Sequence, residues 1–270
     1  VSWNPDIVPD DEPIGLASWV LLVVRGLLIL AIIYTFLIFL ILIRLIEYPF
    51  KSHPVSQRIV QVTCYISLLI MGLRVQSEGT PMTHKGAVVS NHASWLDIFA
   101  LNAPQKVYFV SKAEVSGWPV IGWIARGTGT VFIQRKSRDA AKQKALFEAR
   151  LDHGDRLLFF PEGTSTDTRR VLGFKSTLFA AFFEPRLIDA MWIQPVSLTY
   201  RAPVGEDQRF YGWWGEMLFM PHLLKTLGAR RAGRIFVVFH APVRVRDFAD
   251  RKSLAKYCED KVREGMRWDL

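Results

Sequence analysis

Cysteine is scarce in this chain: Cys64 and Cys258 are the only two. They lie far apart, and neither has a metal-ligating neighbour. A disulfide framework and a zinc module are therefore excluded, and buried reduced thiols in a cytosol-facing protein are expected. The histidines His53, His84, His153, His222 and His240 are scattered and set no metal-ligand spacing, so no metal and no bound cofactor is called for. No Gly-x-Ser-x-Gly elbow occurs, which removes the usual serine-hydrolase frame. Neither a long Lys/Arg block nor a zinc-finger spacing accompanies the formal net charge of +9. Nucleic acid is thereby disfavoured, leaving an anionic membrane surface or anionic substrates to explain the basic balance. A signal peptide would need a basic n-region and a small-residue cleavage site, and neither is found. Internal repeats and low-complexity linkers are also missing.

Among what is present, the first quarter differs sharply from the rest. Residues 1–13 carry Asp6, Asp10, Asp11 and Glu12 with Pro5, Pro9 and Pro13, and read as a polar lead. Residues 14–46 are almost wholly apolar and predict a transmembrane helix; the uncharged run from Gly26 to Ile43 is roughly 27 Å long as a helix. Arg25 interrupts the segment and would reach the interface if the helix starts late or tilts. Arg44 follows the uncharged run and Lys51 and Arg58 lie beyond the segment, so the positive-inside rule places the body of the protein on the cytoplasmic face of the inner membrane, single-pass or monotopic. Residues 56–74 hold Ile59, Val62, Ile66, Leu69 and Leu73 at spacings of three and four. That stretch is short for a span and reads either as a membrane-associated amphipathic helix or as a core helix.

From Gly86 onward, short β-branched or aromatic runs alternate with helical stretches. Strands are expected at 87–90, 107–111, 130–134, 156–160, 193–200 and 235–240, with helices clearest at 137–152 and 174–184. Such alternation argues an α/β fold whose mixed, largely parallel sheet is flanked by helices, with residues 75–270 as one domain. Its centre is Val88-Val89-Ser90-Asn91-His92-Ala93-Ser94-Trp95-Leu96-Asp97, a buried strand that breaks into a helix start. If Asp97 folds back within the first turn it holds one imidazole nitrogen of His92, freeing the other to take a proton from a hydroxyl. A lone His-x4-Asp is weak by itself. Phe159-Phe160-Pro161-Glu162-Gly163-Thr164 strengthens it, because a second polar turn at the same end of a neighbouring strand makes the crevice where α/β folds bind ligands.

At these residues the chain resembles the glycerolipid acyltransferases, the lysophosphatidic acid acyltransferase family. Asn91 to Asp97 and Phe160 to Thr164 look like the first and third signature blocks. Lys112-Ala113-Glu114, Trp118 to Gly122 and Gly129 to Arg135 are similar to the second, and Gln194-Pro195-Val196 to the fourth. The resemblance covers roughly residues 75–200. It implies transfer of a fatty acyl group from acyl-carrier protein or coenzyme A, the thioester co-substrate, to the hydroxyl of a lyso-lipid held in the bilayer. Its most direct form has 1-acyl-glycerol-3-phosphate as acceptor and phosphatidic acid as product. His92 would be the general base and Asp97 its orienting partner, with no acyl-enzyme; Ser94 is the alternative nucleophile. Asn91, Glu162, Gly163, Thr164 and Lys175 would bind substrate, and Lys112 and Arg135 would hold phosphate. Many family members carry Arg after Glu-Gly-Thr, where this chain has Ser165. Either Arg169 and Arg170 take the anion, or the acceptor lacks phosphate there, as in a lyso-ornithine lipid O-acyltransferase. Two other classes stand beside these: a lipid or thioester hydrolase with water as acceptor, and a non-catalytic lipid-binding protein. The segment from Phe210 to Trp214 and from Met217 to Pro221 is either core or a membrane-contacting or acyl-tunnel wall. Arg230, Arg231 and Arg234 are either a solvated basic face or a contact for headgroups or an acidic carrier.

Overall fold

A computed structural model describes residues 15–47, 54–118, 121–133 and 140–268. The polar lead at 1–13, Arg135 and the start of the helix expected at 137–152 lie outside the described residues. Seven α-helices are found among them: α1 (Leu16–Glu47), α2 (Pro54–Ile70), α3 (Asp97–Asn102), α4 (Ile121–Thr128), α5 (Ala140–Asp152), α6 (Phe219–Gly228) and α7 (Arg251–Glu264). Eight strands form one sheet: β1 (Arg74–Glu78), β2 (Gly86–Ser90), β3 (Tyr108–Lys112), β4 (Val131–Ile133), β5 (Arg156–Phe159), β6 (Trp192–Arg201), β7 (Arg234–Phe239) and β8 (Val243–Arg244). The order across it is β1-β7-β6-β2-β5-β3-β4, with β8 beside β6. Pairing is parallel from β6 through β4 and between β1 and β7, while β6 meets β7 and β8 antiparallel. The sheet is thus mixed and largely parallel, as expected. β1 and β8 were not foreseen, since the exposed polar stretch Arg74–Glu78 alternates too weakly to read as a strand.

β2 is buried at every position, because helices cover both of its faces. Its side chains alternate between two cores. Val88 joins Leu158, Val196 and Leu198 beneath α1, α2, α3 and α6. Ala87 and Val89 join Leu157, Phe159 and Ile193 beneath α5, α7 and the segment Ser176–Phe183. That segment, expected as part of an α-helix at 174–184, is a 3-10 helix. Three residues per turn bring Phe179 and Phe182 to one side, where both rings meet Phe159.

α1 is 32 residues long, roughly 48 Å, and is the one described helix long and apolar enough to cross a membrane. It touches α2, α4 and α6. Arg25 does not reach outward: its Nη1 donates to Leu227 O (3.0 Å) and Ala229 O (2.7 Å), closing the carbonyl end of α6. Most other α1 side chains, from Leu16 and Val20 to Leu45 and Ile46, are exposed.

Candidate active site

The chain leaves β2 at Ser90 and the neighbouring β5 at Phe159, two parallel strands whose Val89 and Phe159 are paired. Their C-terminal loops therefore meet, which is how residues about seventy positions apart form one site. His92 Nδ1 lies 2.7 Å from Asp97 Oδ2, and Asp97 is wholly buried. The same Oδ2 accepts the backbone N–H groups of Ala93 (2.8 Å) and Ser94 (3.1 Å). Oδ1 accepts the Tyr200 hydroxyl at 2.7 Å. Asp97 opens α3, and its N–H in turn donates to Ser94 O, so the loop closes around the carboxylate. Four donors fix Asp97, and Asp97 fixes the imidazole tautomer, with Nδ1 carrying the proton and Nε2 left as acceptor. The His92 ring stacks on Phe160 at a centroid distance of 4.0 Å and an interplanar angle of 9°. Its side chain is 23% exposed, enough to be reached from outside.

Glu162 fastens the two loops together. Its Oε1 accepts His92 N–H and its Oε2 accepts Leu172 N–H, both at 2.7 Å. Thr166 adds N–H (2.9 Å) and hydroxyl (3.1 Å) bonds to the His92 carbonyl. Burial pushes the Glu162 carboxyl up to about 8, against the pull of its two backbone donors. Glu162, expected to touch substrate, is 1% exposed with both oxygens engaged, so its task is to hold the loop. Asn91 is corrected in the same way. Fully buried, it donates from Nδ2 to Leu198 O (2.8 Å) and accepts Leu198 N–H at Oδ1 (2.9 Å). Its amide replaces a backbone rung between β2 and β6 where β2 turns away. Ser94 is fully buried and cannot meet a substrate as nucleophile.

Gly163 (φ 73°) makes the turn after Glu162, and both it and Thr164 remain half-exposed in that turn. Lys112 ends β3 with an exposed side chain, two strand positions from β2 and thus about 10 Å across the sheet. Lys175 is exposed and its N–H bonds Pro161 O at 3.0 Å, which brings it to the Glu162 turn. Arg170 is paired with Asp167 (3.0 Å), and Arg169 Nη2 donates to Trp268 O (3.0 Å). Tyr200 was not foreseen: it stands 103 residues from Asp97, and no local pattern links the two. Trp95, within the first signature block, donates its indole N–H to His222 Nδ1 at 2.9 Å.

An imidazole braced by a buried carboxylate, at the C-terminal ends of parallel strands, is an arrangement that α/β enzymes use for general base catalysis. The chain belongs to the acyltransferase family, whose model matches residues 73–199. It is 52% identical to a lyso-ornithine lipid O-acyltransferase of Rhodobacter capsulatus, covering 98% of this chain and 96% of that one. A protein of the same name from Brucella abortus is 38% identical over 72% of this chain and 76% of its own length. The fold is similar to that of the 1-acyl-sn-glycerophosphate acyltransferase of Thermotoga maritima, with a TM-score of 0.58, 21% identity, and coverage of 90% of this chain and 96% of that one.

Proposed function

We propose that this acyltransferase O-acylates lyso-ornithine lipid, using acyl-carrier protein or coenzyme A thioester as donor. The 52% identity to a protein of that name over nearly the full length of both chains carries the reading. The loop after Glu162 supports it. Ser165 stands where a phosphate-binding arginine is common in the family, and Arg169 and Arg170 are engaged elsewhere. 1-Acyl-glycerol-3-phosphate is the second acceptor to test, because the fold is shared with a protein named for it.

In the proposed mechanism His92 Nε2 takes the proton of the acceptor hydroxyl as its oxygen attacks the thioester carbonyl. Asp97 stabilises the imidazolium that forms. Collapse of the tetrahedral intermediate breaks the C–S bond, and the imidazolium returns its proton to the departing thiolate. Oxygen replaces sulfur on the acyl carbon and His92 is restored. Gly163, Thr164 and Lys175 border the acceptor. Lys112 at the end of β3 suits the donor's phosphate, and Arg135, outside the described residues, is proposed to share that role.

How α1 is fastened supports a membrane reading. Leu22, Leu40 and Glu47 are all buried against the domain, roughly 37 Å apart along the helix. A helix crossing the bilayer would leave a water-borne domain behind, whereas α1 is gripped along its length and apolar on its outer side. We therefore place it in the plane of one leaflet, the cytoplasmic leaflet of the inner membrane, where thioester donors are available.

Purified protein is to be offered lyso-ornithine lipid and lysophosphatidic acid side by side, with each donor, and the products identified by mass. At least tenfold higher kcat/KM on the aminolipid is expected; preference for the phosphate acceptor overturns the assignment. His92→Ala abolishes transfer while membrane association survives, and unchanged transfer would exclude His92 as the base.

A further inference from the structure

An apolar lip borders the loop that carries His92, and neither the dyad nor the core uses it. Trp123 on α4 is 70% exposed, Leu218 before α6 is 72% exposed, and Met220 within α6 is 56% exposed. Trp118, just ahead of α4, is 40% exposed. Side chains of this size and exposure, gathered at one place, mark a contact surface rather than ordinary scatter. Ring contacts join them: Trp118 meets Trp213 at 6.5 Å, and Trp213 meets Phe219, which lies between Leu218 and Met220, at 6.1 Å. The lip also touches the site. Trp213 N–H donates to Ala93 O at 2.9 Å, and Trp95 packs edge-on against Phe219 at 5.6 Å.

Two features bind this lip to the apolar helix. α4 reaches α1 where Gly127 faces Leu37, so closely that a Cβ on Gly127 would lie 2.8 Å from Leu37 Cδ1. α6 reaches it where Gly26 faces Leu227 and Arg25 closes the α6 carbonyls. The two helices that carry the lip are therefore both packed directly on α1. Exposed cations stand beyond the C-terminal end of α6, at Arg230 and Arg231, where anionic headgroups would meet them.

We propose that the α4–α6 lip is a second membrane-inserting surface, entering the leaflet that holds α1 so that a lipid acceptor passes to His92 without crossing water. This rests on the lipid-acceptor reading above. Exposed tryptophan together with leucine and methionine is the composition that suits a bilayer interface.

The test uses the full chain with Cys64 and Cys258 replaced by Ala, bound to vesicles of phosphatidylethanolamine and phosphatidylglycerol. An environment-sensitive fluorophore is attached at Leu218→Cys or Met220→Cys. Lys256→Cys on α7, which covers the opposite face of the sheet, serves as control. Spin-labelled lipid is expected to quench the lip probes at least threefold more than the control, and aqueous iodide to do the reverse. Iodide quenching of the lip equal to the control overturns the proposal. So does protection that appears only with added acyl-carrier protein, or only at high protein concentration without lipid, since these assign the lip to the carrier or to a second copy. In parallel, Leu218→Asp/Met220→Asp should lower the rate on vesicle-embedded acceptor about tenfold while leaving that on a short-chain, monomeric acceptor within twofold. An equal rate on both overturns it. The quenching arm needs no turnover, so a wrong acceptor and a wrong surface give different results.

Discussion

Asp97 receives four hydrogen bonds through two oxygens, and only one of them comes from His92. The Tyr200 hydroxyl alone engages Oδ1, in a site where that hydroxyl is fully buried and burial holds it protonated well above its usual range. Tyr200→Phe leaves a buried carboxylate oxygen without a donor, which costs about 1–3 kcal/mol. Steady-state kinetics should show kcat reduced about tenfold with the donor KM within twofold, and an unchanged kcat would remove Tyr200 from the positioning of the dyad. Glu162 makes a pH-dependent contribution of opposite kind. Its carboxyl titrates near 8 in the fold against an ordinary 4.5. Between those values the folded chain keeps a proton that the unfolded chain releases, so stability falls as pH rises from about 4.5 to about 8. Glu162→Gln removes this slope. It also lowers stability at every pH, because an amide NH2 then faces one of the two backbone N–H groups. Unfolding midpoints of both proteins from pH 5 to 8.5 check both effects.

At the scale of elements, β2 carries the site and tolerates little change. Gly86 begins the strand at φ 141°, and a Cβ there would lie 1.8 Å from Trp192 O on β6. Gly86→Ala must therefore push β2 off β6, taking with it the Asn91–Leu198 rung and the loop of His92. Destabilisation of about 3 kcal/mol or more is expected, read as a lowered unfolding midpoint or as loss of folded protein on expression. The loop of His92 has little regular structure of its own: α3 is six residues long, and Asp97, Glu162, Thr166 and Trp213 shape the stretch before it. Rigidity is supplied by neighbours on both sides, β5 with its turn and β6 with Leu198 and Tyr200. The arrangement suits the role proposed for His92, a base that must stay aimed while substrates come and go.

Over the whole molecule, a sheet with one face under α5 and α7 has its other face under helices that continue into α1. The surfaces proposed to face lipid thus lie on one side of the sheet. An in-plane α1 and a crossing α1 make different predictions about the start of the chain. With α1 in one leaflet, a cysteine placed at Asp6 in the cysteine-free background stays protected from a membrane-impermeant maleimide added to intact spheroplasts, and reacts once they are lysed. Reaction before lysis would establish a crossing helix and refute the in-plane reading.

Several features were legible in the residues alone because they are local. The apolar run of α1, the alternation that makes an α/β sheet, and the His92–Asp97 spacing each depend on neighbours within a few turns of chain. The substrate doubt was visible at Ser165 for the same reason. Other assignments were decided only by tertiary contact. Asn91 and Glu162 looked like ligand-binding side chains, since nothing in a sequence says that Leu198 or Leu172 will occupy their polar atoms. Arg25 seemed an awkward charge in an apolar helix until the fold brought it the open carbonyls of α6. Hydrophobic periodicity is a property of a segment, but the partner of a buried polar atom is a property of the assembled chain, because β2, β5 and β6 come together only when the sheet forms.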